Sequence, residues 1–208
     1  MLVDSEQLWD EVREELARER GGRWHDRAQA DMMGMSSAEW SVYMHDVIGL
    51  AESPGDINKE VVRRLLACYR ESLPLLPGAI DAVARLAARW PLGLASSSNR
   101  EVIDAVLEAA EIARYFRATV SSEEVAHGKP APDVYVEAAR RLGIEPSSCA
   151  AVEDSRNGIR SAHAAGMRVI AIPNPHYPPS EDELALADAV LRSLDELTVE
   201  RLEQVSAS

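Results

Sequence analysis

From residue 78 onward a short apolar run, a cluster of small polar residues and a stretch of helical periodicity follow one another repeatedly. A helix is expected over 78–89, with Ile80, Val83, Ala84 and Ala87 on one face. The strand 92–95 follows and ends in Ser96-Ser97-Ser98-Asn99. A helix carrying Val102, Ile103, Val106 and Leu107 leads to a strand at 118–121. Next come helix 133–142, strand 149–152, helix 156–165, strand 168–172, a last strand at 189–191 and a C-terminal helix. Apolar runs of four or five residues are too uniform for a sheet with one wet face. Alternating with helices, they predict parallel strands covered on both sides. Such sheets bind ligands at the carboxyl ends of their strands, so the polar residues just after each strand are the candidate functional groups.

The first 73 residues have another texture, helix after helix. Asp4 and Gln7 fit a capping box, Leu8, Val12 and Leu16 recur down one face, and Gly21-Gly22 stops the helix. A short helix is expected over 26–33. A third follows Ser36-Ser37, with Trp40, Met44 and Val47 on one stripe. Pro54-Gly55 turns the chain, and Asp56 is expected to cap a fourth helix bearing Val61, Leu65, Leu66 and Tyr69. Four such helices make a small bundle. Trp9, Trp24 and Trp40 read as its core, and His25 and His45 as ordinary surface or core histidines. The 208 residues thus suit a core domain of ordinary size carrying a helical insert.

Charge and cysteine content narrow the class. The formal net charge is −13, and both textures are acidic, which speaks against a general nucleic-acid binder. No apolar run is long enough to span a bilayer, and Met1-Leu2-Val3-Asp4 has neither the basic region nor the apolar core of a secretory signal. Cys68 and Cys149 make neither a disulfide framework nor a zinc pattern, so two reduced thiols in a cytoplasmic protein are expected. Only two of the 22 basic residues are lysines, Lys59 and Lys129. A site that needs a compact charge on a flexible stem resists replacement by arginine.

Three polar clusters stand at successive strand ends: Ser96-Ser97-Ser98-Asn99, then Gly128-Lys129-Pro130-Ala131-Pro132-Asp133, then Glu153-Asp154-Ser155 running on to Gly158. Each has a plain structural reading, as a helix cap for the two serine-bearing clusters and a surface lysine for the third. Together they bring hydroxyls, an ammonium and an acidic pair to one rim. That set suits a phosphate and a hard cation: Mg²⁺ prefers one or two carboxylates plus water and phosphate oxygens, and hydroxyls with helix N-terminal amides suit phosphate.

These motifs resemble the haloacid dehalogenase-like superfamily, in its branch of capped phosphatases and phosphomutases. Leu94-Ala95-Ser96-Ser97-Ser98 looks like the second family motif, Gly128-Lys129-Pro130-Ala131-Pro132-Asp133 like the third, and Val152-Glu153-Asp154-Ser155 through Gly166-Met167 like the fourth. The resemblance implies an α/β, Rossmann-like parallel-sheet core over 76–208, a small helical-bundle cap over 5–75, and residues 1–4 as the tail of the first motif. It implies phosphoryl transfer through an aspartyl-phosphate, dependent on Mg²⁺, on a small phosphorylated metabolite and not on a nucleic acid or membrane. By carry-over, Ser96, Ser97, Ser98 and Asn99 bind phosphate with Lys129, Ser96 and Lys129 serve catalysis, and Asp154 and Glu153 hold the metal. Gly34-Met35-Ser36-Ser37 looks like the cap loop that faces the active site. Ser37 stands where β-phosphoglucomutase has an arginine for a second phosphate, so hydrolysis is expected before mutase chemistry.

The family's first motif, a central strand ending in Asp-x-Asp-Gly that carries the nucleophile and the acid/base, would lie upstream of Met1. The expectation is therefore a chain truncated at its N-terminus, lacking the first core strand and inactive or nearly so. Asp4 matches the closing Asp of that motif and cannot stand in for a nucleophile several positions away. The competing readings are a non-catalytic phosphate- or partner-binding relative, and a metal-independent dehalogenase that would leave Glu153-Asp154 unexplained.

Overall fold

The structure, a computed structural model, describes residues 1–33 and 35–207. Gly34, at the start of the expected cap loop, lies outside the described residues. The first part of the chain forms α1 (Glu6–Glu19), α2 (Ala28–Met32), α3 (Ser37–Asp46) and α4 (Pro54–Glu71). Trp9, Val12 and Leu16 of α1 and Val61, Leu65 and Tyr69 of α4 lie at helical spacing and pack with Trp40 and Met44 into one apolar cluster. Trp9 and Trp40 meet edge to face with centroids 5.9 Å apart.

Three local expectations are corrected here. Asp4 does not cap α1, because residues 2–4 are extended: Val3 bridges Leu75 antiparallel, and the Asp4 N–H donates to Pro74 O at 2.8 Å. Ser5 takes the N-cap position, without a side-chain bond. α4 is capped by Ser53, not Asp56. Pro54 fills the first turn, where its missing N–H costs nothing, and the Asp56 N–H donates to Ser53 Oγ at 3.2 Å. Val47 falls beyond α3 and is 47% exposed. Ser36 does make a full capping box with Glu39.

The second part forms α5 (Ala79–Ala87), β1 (Leu92–Ser96), α6 (Arg100–Ala109), β2 (Phe116–Ser121), α7 (Asp133–Leu142) and β3 (Ala150–Glu153). It continues with α8 (Arg156–Ala164), β4 (Arg168–Ala171), α9 (Glu181–Leu184), β5 (Ala189–Val190) and α10 (Val199–Ala207). Every strand pair is parallel, as the uniform apolar runs require. Among the described residues the strands form two separate sheets, β1–β2 and β3–β4–β5.

Between them, β1 and β3 each have a partner on one side only. A cavity of about 500 Å³ runs between these two edges, floored by α5 on one face and α7 on the other. Its effect shows in the burial. No residue of β1 is buried, whereas Val169, Ile170 and Ala171 of β4 are. Leu94 and Val152, apolar strand residues that a closed sheet would cover, remain partly exposed.

Candidate active site

The carboxyl ends of β1 and β3 and the loop 128–133 meet at the mouth of this cavity. Ser96, Ser97, Ser98, Lys129, Glu153, Asp154 and Ser155 all line it. Three strand-end clusters far apart in sequence thus share one rim.

Lys129 sits at its centre. Its ammonium donates to Ala95 O at 3.2 Å and to Glu153 Oε1 at 2.5 Å, so it spans from the end of β1 to the end of β3. It also lies 4.8 Å from the centroid of the Tyr135 ring, with the phenol oxygen at 3.4 Å. Lys129 and Glu153 side chains are 9% and 5% exposed, a buried ion pair. Glu153 accepts further bonds from the Tyr135 hydroxyl, the Asp154 N–H and Ser155 Oγ. Burial pushes the Glu153 carboxyl up, but Lys129 and Tyr135 outweigh it and leave it below the usual carboxylate range. The same burial, with Glu153 alongside, raises the Tyr135 phenol well above its ordinary value, so it stays a neutral donor. Gly158 makes room for this carboxylate: a Cβ there would overlap the Glu153 carboxyl atoms.

Asp154 points to the rim. Its Oδ2 lies 3.2 Å from the Met1 ammonium, with side chains 22% and 16% exposed. Burial would lower the pKa of that ammonium, but Asp154 and Glu153 raise it above its ordinary value. Asp154 keeps a partly exposed carboxylate at the rim, so it could hold a divalent ion. Glu153 fits less well as a direct ligand, since both of its oxygens are engaged by protein donors. Among the described residues no group of three or more His, Cys, Asp or Glu side chains forms an ion site.

The serine loop is tied in place. Ser96 Oγ accepts from the Ser98 N–H at 3.1 Å, while Ser97 O and Ser98 O accept from Ser122 Oγ and Ser121 Oγ at 2.9 and 2.7 Å. Asn99 is not brought to the rim. Its amide donates to Asn58 Oδ1 at 3.2 Å and Glu123 Oε1 at 2.8 Å, joining α4 of the bundle to the start of α6. Ser37 Oγ reaches the same Glu123 oxygen at 3.4 Å, so it contacts the second part rather than the cavity. The bundle touches the second part again where Tyr177 bonds Gln29 and, at 3.3 Å, Asp10. Tyr135, Glu123 and the Met1 ammonium were not read from the sequence. Only Tyr135 carried a local signal, at the buried-face spacing of α7.

The profile of the haloacid dehalogenase-like hydrolases matches residues 2–166. This chain belongs to that family. It is 35% identical to hexitol phosphatase B of Escherichia coli over 97% of this chain and 92% of that protein. It resembles the crystal structure of CbbY from Rhodobacter sphaeroides in complex with phosphate, with a TM-score of 0.84, 26% identity, and coverage of 98% and 95%. The fold is shared with β-phosphoglucomutase from Clostridium difficile, TM-score 0.82 at 18% identity, over 100% of this chain and 93% of that one. Among the described residues no helix is long and apolar enough to cross a membrane.

Proposed function

We propose that this chain carries the site of a Mg²⁺-dependent phosphatase for a small phosphorylated metabolite, with hexitol phosphates the first class to test. The observation that carries this is the Lys129 ammonium, held between the ends of β1 and β3 beside the Ser96 loop and Asp154. Phosphoryl transfer is catalysed chiefly by positioning and charge stabilisation. Ser96 Oγ and the Ser97 amide would hold phosphoryl oxygens, and Lys129 would neutralise charge as it develops. Asp154 would hold the ion, which when bound neutralises and orients the phosphoryl oxygens. The part of Glu153 is to fix Lys129. The bundle over 5–75 is the cap that covers the core over 76–208 and selects the substrate, and its contacts through Asn58, Ser37 and Gln29 support this. Its medium is the cytoplasm.

The nucleophile and the acid/base are not among the rim residues. The carboxylates lining the cavity are Glu6, Glu153 and Asp154, and the latter two are assigned to fixing Lys129 and holding the ion. We therefore propose that the chain as given binds phosphate without turning over esters. A calorimetric titration of orthophosphate tests the site. Binding is expected only with Mg²⁺, weakened about tenfold or more in Ser96→Ala, Lys129→Ala and Asp154→Asn. Equal binding without Mg²⁺, or indifference to all three substitutions, refutes it. An N-terminal strand ending in Asp-x-Asp-Gly should add ester hydrolysis. Binding that never becomes turnover even then favours the non-catalytic relative.

A further inference from the structure

Beyond the phosphate rim, on the side of the bundle, the cavity is lined by Ser5, Glu6, Met33, Tyr69, Asn174 and Tyr177. Tyr177 comes from the second part of the chain, in the segment between β4 and α9, and it is held at both ends. The Asn174 N–H donates to Asp154 O at 3.3 Å, and Asn174 Oδ1 accepts the N–H groups of His176 and Tyr177 at 2.9 and 3.3 Å. This side-chain turn fixes the Tyr177 backbone to the rim. At its far end the Tyr177 hydroxyl donates to Asp10 Oδ2 at 3.3 Å and accepts from the Gln29 amide. Burial, with Asp10 alongside, pushes the phenol up to about 12, so the hydroxyl stays protonated. A hydroxyl oxygen has two lone pairs, so one is left to accept from a ligand.

The charge on this wall is one-sided. Among the described residues Lys129 is the only basic side chain lining the cavity, and it stands at the rim, paired with Glu153. The Met1 ammonium is at the rim as well, on Asp154. Arg13 lies behind the wall and is not part of the lining. Its guanidinium sits 5.5 and 5.6 Å from the ring centroids of Trp9 and Trp40, donates to Trp9 O at 3.1 Å and faces Asp10 at 3.6 Å. Glu6 adds a carboxylate to the wall itself. A second phosphate or a carboxylate on a ligand would leave water here with no cation to meet it, which is costly. Hydroxyl groups carry no such penalty, because Tyr177, Asn174 and Glu6 offer them donors and acceptors.

We propose that Tyr177 is a specificity-determining residue of this site: its hydroxyl meets a hydroxyl on the far part of the ligand, and the wall around it excludes a second anionic group. The inference rests on the phosphatase reading of the rim and deepens it by saying which esters enter. Phosphorylated polyols are admitted, while phosphorylated sugar acids and bisphosphates are not. The selecting hydroxyl comes from the segment after β4 and adds to whatever the bundle selects.

Calorimetric titrations with Mg²⁺ test it on matched esters: sorbitol 6-phosphate, 6-phosphogluconate, which has a carboxylate in place of the terminal hydroxymethyl group, and hexyl phosphate, which has no hydroxyls. Sorbitol 6-phosphate should bind about tenfold or more tighter than either of the others. Tyr177→Phe should lower the ratio of sorbitol 6-phosphate affinity to orthophosphate affinity by about tenfold and leave the same ratio for hexyl phosphate where it was. A tyrosine that only docks the bundle would move both ratios together, and that result overturns the inference. Met33→Lys puts a cation on the wall and should bring 6-phosphogluconate to parity with sorbitol 6-phosphate or beyond. No gain in that variant, or equal binding of the two ligands before substitution, also overturns it. If orthophosphate itself does not bind, the reading of the rim fails and this inference with it. If orthophosphate binds with the expected dependence on Mg²⁺ and the three esters do not differ, this inference alone fails.

Discussion

Replacing Lys129 with Met tests the ion pair on which the rim is built. The substitution leaves the Glu153 carboxylate buried, 5% exposed, and hydrogen-bonded to neutral donors on Tyr135, Asp154 and Ser155. Breaking a buried pair by removing one partner costs about 3–5 kcal/mol, and three surviving hydrogen bonds place this case near the lower end, about 3 kcal/mol. Glu153→Met should cost about 2 kcal/mol, since the Lys129 ammonium keeps Ala95 O and the Tyr135 hydroxyl. The double variant removes both charges and fills the space with side chains of similar volume. Its stability should lie within about 1 kcal/mol of the starting protein. The coupling energy is then about 4 kcal/mol, beyond the usual range for neighbours and a direct measure of a pair kept for function at the expense of stability. Urea unfolding followed by tryptophan fluorescence and circular dichroism gives all four values, provided the two transitions coincide. If Lys129→Met shifts stability by less than about 0.5 kcal/mol, or the double variant loses the full sum of the singles, the buried pair is not as described here.

Three further outcomes follow from the geometry. Gly158→Ala should destabilise by more than about 3 kcal/mol and abolish orthophosphate binding, because its Cβ would displace the Glu153 carboxyl from Lys129; unchanged binding by calorimetry would contradict this. Burial pushes the Glu124 carboxyl up, but Arg100, the Ser121 N–H and Arg141 prevail and hold it at about 2. Because its folded pKa lies below the unfolded value, its stabilisation is present above pH about 4.5 and fades as pH falls toward 2, so the stability gap to Glu124→Gln should close over that window; a gap independent of pH refutes it. Ser53→Ala should cost about 1 kcal/mol in thermal or urea unfolding and Asp56→Ala less, since Ser53 is the residue that caps α4. Equal losses would return the cap to Asp56.

Much of the architecture was legible because it is local. Helix α7 begins and ends at 133 and 142 as its periodicity predicts, and β1 to β4 fall within about two residues of the apolar runs. The start of α3 after Ser36 was legible for the same reason, though its capping box with Glu39 was not read. Capping of α4 was misjudged because an Asp in the first turn and a Ser before Pro54 are both good signals, and proline decides between them by fixing the first helical residue. The rim was legible as three strand ends, but the partners of its members were not. Asn99 turns to Asn58, and Glu153 turns to Lys129 and Tyr135, because packing between distant segments sets those rotamers. The division into two sheets is likewise a property of pairing, which no single run of residues encodes.

Crystals of the chain grown with Mn²⁺ in place of Mg²⁺ and with orthophosphate give the most direct view of the rim. Anomalous scattering should place the metal on Asp154, with phosphate between it, Ser96 and Lys129. Metal bound elsewhere with Asp154 bare, or phosphate that avoids Ser96 and Lys129, would contradict the assignment of this cavity mouth as a phosphoryl-transfer site.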